Sequence, residues 1–316
     1  MVTREYLQNF RVGMIFIRGL KMSRDLIIGG ASNYTWNELK YWVNSIRKSG
    51  FKGDVALVGT NYTKETIDRL TEEGIILSLY GNKNENGDVV AHSNGAPHVE
   101  RFFYLWNFLN NTSNEYRNVI TTDTRDVIFQ SDPSEWLEDN LISYMLIASS
   151  EGMRYKNEPW GNKNLLDSFG PYFHNILKEE MIYNVGTIAG DFQTVKGLMS
   201  FIFHLSINRA IPIVDQAVFN FVINQPPFLF DTYFSGNKDG WAIQLGTTLG
   251  AVESAKGDLG AIFKDDPAKY QEMYEDEQPV IEDGVVKNSE GKRFCIVHQY
   301  DRVDGLKEKI EQIYGD

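Results

Sequence analysis

The stretch NVITTDTRDVIFQSDP, Asn118 to Pro133, puts Asp123 and Asp126 just past a short apolar strand and ends in an Asp-Pro turn. Hard carboxylate oxygens at a strand end suit Mg²⁺ or Mn²⁺, and such a cation neutralises a diphosphate leaving group as a Lewis acid. The competing reading is structural: Asp126 and Asp132 would cap a turn or a helix, as Asp-x-x-Asp and Asp-Pro spacings often do. Three further segments bear on the choice. Tyr183-Asn184-Val185-Gly186 ends an apolar run, where a small residue lets a ligand approach the backbone. Asp215-Gln216 opens a helical stretch, either as an N-cap or as a base and acceptor-binding pair. His298 follows an apolar run near the end of the chain; it is a core histidine unless the chain returns it to Asp123, where it would be a metal ligand.

The elements that must position these groups alternate from Leu26 onward. LIIGG, DVALVG and IILSLYG read as buried strands, separated by a helix opened by the capping box Thr35-x-x-Glu38 and a second helix opened by Thr63. That order predicts parallel βαβ units with right-handed crossovers. Residues 82–97 have loop composition. A helix follows, with Val99, Phe102, Phe103, Trp106 and Leu109 on its apolar face, and delivers the chain to the Asp123 strand. Downstream, LISYMLIASS predicts a strand, residues 151–164 a loop, MIYNVGTIAGD a strand and turn, and Phe192 to Asn208 a helix. Asp215 to Asn224 predicts a helix and FLFD a strand. In an open α/β sheet the ligand site lies beyond the carboxyl ends of the strands, where Asp123 falls.

The bulk composition narrows the function classes. With 316 residues, 42% of them apolar, the chain can bury one large core. A net charge of −12 argues against a nucleic-acid surface, which needs a basic stripe. The single cysteine, Cys295, excludes an internal disulfide and points to a reducing, cytoplasmic setting. The apolar run near Arg11 is too short for a membrane span or signal core. Residues 1–21 read as a poorly ordered extension, with Met22 as an alternative start.

In order, the Gly-rich strand end, DTRDVIFQSDP, YNVG, DQ and the late VHQYDR resemble the nucleotide-sugar-dependent glycosyltransferases of GT-A fold, over most of residues 25–302. The central motif resembles their D-x-D, with a departure: Asp123 matches the first aspartate, Arg125 stands at the usual second, and Asp126 follows one place later. The resemblance implies an α/β GT-A fold with a mostly parallel sheet, its nucleotide-binding half about 22–135 and its acceptor half about 136–316. It implies Asp123, Asp126 and His298 as ligands of Mn²⁺ or Mg²⁺. Gly30, Ala31, Ser32, Asn33 and Tyr34, with Arg101, Thr122, Asp123 and Arg125, would meet the sugar nucleotide. Asn184, Gly186 and Gln216 would face the sugar and a glycan or other hydroxyl acceptor, and Asp215 would be base or acceptor orienter. Trp160 and Trp241, each in a Gly-rich segment, could stack on a sugar or anchor a loop. Two enzyme alternatives fit less well. A dehalogenase-type phosphatase needs an aspartate directly after its first strand, and a nucleotidyltransferase needs basic residues where this chain has GGASNYTW. A non-catalytic nucleotide-sugar or glycan binding module is the reading from another class, motivated by Arg125.

Overall fold

The structure, a computed structural model, describes residues 24–316. The expected 1–21 extension lies outside the described residues. The chain opens with β1 (Arg24–Gly30), β2 (Asp54–Gly59) and β3 (Ile76–Leu79). The segment read as loop forms a small hairpin of β4 (Asn82–Lys83) and β5 (Val89–Val90). Next come β6 (Tyr116–Thr122), β7 (Val127–Phe129), β8 (Leu146–Arg154), β9 (Met181–Asp191), β10 (Thr232–Ser235) and β11 (Ala242–Gln244). A second hairpin, β12 (Val280–Glu282) with β13 (Val285–Lys287), precedes β14 (Ile296–His298).

The main sheet has the order β10-β8-β9-β6-β1-β2-β3. Every neighbouring pair is parallel except the two made by β9, which runs antiparallel to β6 and β8. Strand alternation sends Leu26 and Ile28 to one face and Ile27 to the other, so each face needs its own cover. The first face packs on the helices Pro97–Asn111, Phe192–Ser206 and Asp215–Ile223. The second packs on Trp42, Val43 and Ile46 of the helix Trp36–Ser49. That helix starts as its capping box requires, the Thr35 amide donating to Glu38 Oε2 at 2.8 Å, and ends at Gly50 with φ 91°. Asp132 caps the helix Pro133–Asn140, its Oδ1 accepting from the Ser134 amide at 2.9 Å.

Two expected elements change. FLFD is a helical turn, Phe228–Asp231, and the strand begins one residue later, where Thr232 pairs with Leu146. Four apolar residues carry no periodicity to separate turn from strand, and only the partner β8 decides. The expected 151–164 loop is mostly regular. β8 runs through Glu151 to Arg154 with register shifts against β9, and the helix Pro159–Leu177 starts at the Pro after Glu158. Gly170, at φ 73°, interrupts that helix where Gly-Pro predicts a break.

A three-stranded sheet, β11-β14-β7, carries the chain's late segment back to the opening motif. β14 runs antiparallel to β7, pairing His298 with Val127, and parallel to β11, pairing His298 with Gln244. No helix of the described residues is long and apolar enough to cross a membrane.

Candidate active site and metal centre

Asp123 sits immediately beyond β6, its amide donating to the Gly186 carbonyl at 2.9 Å, so the ends of β6 and β9 are tied together. Asp126 precedes β7, and its carbonyl accepts from the Gln299 amide at 2.7 Å, one residue past His298. Sheet pairing therefore converges both aspartates on His298. One side-chain atom each of Asp123, Asp126 and His298 lies within 4.8 Å of the others. His298 Nε2 is 3.6 Å from Asp123 Oδ2 and 3.7 Å from Asp126 Oδ1. In octahedral coordination at about 2.1 Å, ligand atoms stand about 3.0 Å apart when adjacent and about 4.2 Å when opposed. The two separations from His298 fall between those limits.

The support behind the histidine fits the same use. His298 Nδ1 is 2.7 Å from Gln244 Oε1, and Gln244 Nε2 donates to Thr187 Oγ1 at 2.8 Å. A glutamine fixed in this sense presents an oxygen, so Nδ1 carries the proton and the Nε2 lone pair faces the two carboxylates. Three acceptor atoms turned on one another call for a cation, and a histidine oriented through its far nitrogen is the usual support of a metal ligand. The residues present fit a divalent ion.

Arg101 crosses the centre from the helix Pro97–Asn111. It pairs with Asp123 through one amino nitrogen and with Asp215 through the other at 2.8 Å. Burial opposes charge on Asp123, but the Arg101 guanidinium holds its carboxyl below the usual range. Burial likewise opposes the Arg101 charge, and the two carboxylates raise its pKa despite it. Gly30 admits this arginine: a Cβ there would stand 3.0 Å from Arg101 Cβ.

Two depressions meet at this centre. The first, of about 420 Å³, is lined by Gly30, Ala31, Ser32, Tyr34, Thr124 and Arg125. The second, of about 410 Å³, is lined by Glu151, Trp160, Asn184, Gly186, Asp215 and Gln216. Both share Arg101, Asp123, His98, His298, Gln299 and Arg302. Asn184 is locked in place: its Oδ1 accepts from the Gly186 amide at 2.7 Å and its Nδ2 donates to Glu151 at 2.7 Å.

Most of the expected site residues gather here, and three do not. Trp241 is fully buried against Trp136, ring centroids 5.0 Å apart, and offers no face to a sugar. Thr122 is buried with Oγ1 accepting from Trp42 Nε1 at 2.9 Å; Thr124, two residues on, lines the cavity instead. Asn33 turns outward at φ 64° and accepts from Asn61 Nδ2 at 3.0 Å. Trp160 is not in a loop but in the first turn of a helix, 38% exposed. Arg125 points from the motif toward Asp301 at 3.4 Å and Asp126 at 3.5 Å, about half exposed at the cavity mouth. Asp126 provides the second carboxylate.

Sequence reading missed Gln244, Glu151, His98 and Arg302. Burial, chiefly, pushes the Glu151 carboxyl from the ordinary 4.5 up to about 7; the Asn184 and Gln216 amides oppose this and the Glu158 charge adds to it. A raised acid pKa means that the folded state holds the proton more tightly, so folding stability falls as pH rises from about 4.5 to about 7. Glu151→Gln is therefore expected to gain up to about 3 kcal/mol over the native protein at pH 8.5 and little at pH 4.5. Thermal melts at the two pH values check it; equal differences at both would contradict a buried ionisation.

No protein-family model matches the sequence, and no curated protein matches it in sequence. Solved structures do match in fold. The bifunctional glycosyltransferase WbbM, in its apo structure, superimposes with a TM-score of 0.56 at 12% identity, over 94% of this chain and 50% of WbbM. The galactosyltransferase LgtC, in complex with donor and acceptor sugar analogs, gives 0.50 at 12% identity over 92% of this chain and 95% of its own. The chain thus spans about half of WbbM's length. The fold is the GT-A fold of glycosyltransferases, a mixed α/β unit with a mostly parallel seven-stranded sheet.

Proposed function

We propose that the protein transfers a sugar from a nucleoside-diphosphate donor to a hydroxyl of a glycan or other acceptor, assisted by Mn²⁺ or Mg²⁺. One observation carries the reading: the Asp123, Asp126 and His298 ligand atoms converge at the junction of two depressions of similar size. The bound cation would supply Lewis-acid stabilisation of the departing diphosphate. Asp123, Asp126 and His298 would hold it. The first depression takes the nucleoside, with Tyr34 offering a half-buried ring beside Gly30, Ala31 and Ser32. The diphosphate lies at the junction in this reading, where Arg101, His98 and Arg302 line both depressions. The second depression takes the transferred sugar and the acceptor. Gly186 leaves the room that His298, Asn184 and Asp123 occupy at the strand end, Asn184 is held rigid beside it, and Gln216 offers an amide. Asp215, tied to Arg101, acts in this reading as an orienting carboxylate. LgtC's complex with donor and acceptor analogs supports placing two substrates on this fold.

A binding module without turnover is not favoured, because Asp126 and His298 complete the ligand set that Arg125 breaks in the motif. The test is turnover. A panel of nucleotide sugars incubated with the protein and Mn²⁺ is expected to yield free nucleoside diphosphate from one donor, more when acceptor glycans are added. Release from no donor would sink the proposal.

A further inference from the structure

The second depression does not end at Trp160 and Ile213. These two residues, 38% and 40% exposed, form its outer rim and also line an adjoining groove of about 350 Å³. One wall of that groove is a helix face: Trp160, Lys163, Asn164 and Asp167 recur at the i, i+3, i+4, i+7 spacing of the helix Pro159–Leu177. The other wall is the chain from Ile211 to Ile213. Asn164 Nδ2 donates to the Ile213 carbonyl at 2.6 Å and ties the walls together. The Trp160 backbone is fixed by its amide donating to Glu158 Oε1 at 3.1 Å. Ile211 and Pro212 also line a further depression of about 470 Å³.

An aromatic plate and apolar rim beside an exposed Lys163–Asp167 ion pair match a sugar ring, which has apolar C–H faces and a hydroxyl edge. A lipid tail would have to cover that ion pair and leave it unsolvated, at a cost it cannot recover. We infer that the groove is an outer acceptor subsite, holding the sugar residue that adjoins the reacting one, so that the acceptor is a glycan of at least two residues. The inference rests on the sugar-transfer reading and narrows its acceptor.

The test separates the two claims. Immobilised glycans of one to four residues, with octyl monosaccharides as an apolar-aglycone control, are probed with labelled full-length protein in Mn²⁺. Retention is expected from glycans of two or more residues. Lys163→Ala/Asp167→Ala, an exposed pair whose loss leaves the fold intact, is expected to weaken it about tenfold. Its donor hydrolysis should be unchanged. Retention of monosaccharides as strong as of longer glycans, preference for octyl glycosides, no retention at all, or an unaffected double variant would each overturn the subsite. Donor hydrolysis, measured separately, reports on the transfer reading alone.

Discussion

Asp123→Asn is expected to lower donor turnover by about 10²–10³-fold, the order expected when the cation that stabilises the developing charge loses a ligand. The carboxylate has two duties here, one oxygen toward Arg101 and the other toward His298. An amide keeps the shape but loses the charge that a cation needs, and leaves the Arg101 guanidinium with Asp215 alone. The side chain is 30% exposed, so the ion-pair loss is smaller than for a fully buried pair, about 1–3 kcal/mol. The two effects separate experimentally. Thermal melts without metal report the ion pair, and steady-state kinetics at a temperature where the variant is folded report the site. Turnover within threefold of the native rate would remove Asp123 from the reaction.

Gly186→Ala should be nearly as damaging, though it adds a single methyl. A Cβ at this position would stand 2.8 Å from His298 Cε1, 2.9 Å from Asn184 Oδ1 and 2.9 Å from Asp123 Oδ2. None of the three can give way freely: Gln244 holds His298, Glu151 holds Asn184 and Arg101 holds Asp123. The methyl must therefore shift the Asp123 and His298 side chains that are proposed to hold the cation. Misplacement of that order costs about 10² in rate, and overpacking about 1–3 kcal/mol in stability. Kinetics with metal titration check this. Unchanged turnover and metal dependence would show that the strand end does not face the reacting sugar.

Periodicity made the frame legible in the sequence, because β1, β2 and β3 alternate with amphipathic helices and strand ends place ligands. Asp123 was readable as a strand-end carboxylate, and Asp132 as the cap it is. His298 was readable only conditionally. Its return to Asp123 depends on the antiparallel pairing of β14 with β7, a contact between distant segments that no local pattern encodes. Thr122 and Trp241 show the opposite difficulty. Residue type left both available to a ligand, and the pleat turned Thr122 toward Trp42 while Trp136 drew Trp241 into the core. Glu151 was hidden because β8 continues through irregular register past the apolar run that marked its expected end. Gln244 carried no signal beyond a polar residue closing a short apolar strand.

The most direct measurement is calorimetric titration of nucleotide sugars and nucleoside diphosphates into the native protein and Asp123→Asn, with Mn²⁺ and with a chelator. The account predicts that a nucleoside diphosphate binds the native protein in Mn²⁺, at least tenfold more weakly with chelator, and that Asp123→Asn abolishes the difference. Binding of equal strength in both conditions, or none in either, would contradict a metal-held diphosphate at Asp123, Asp126 and His298.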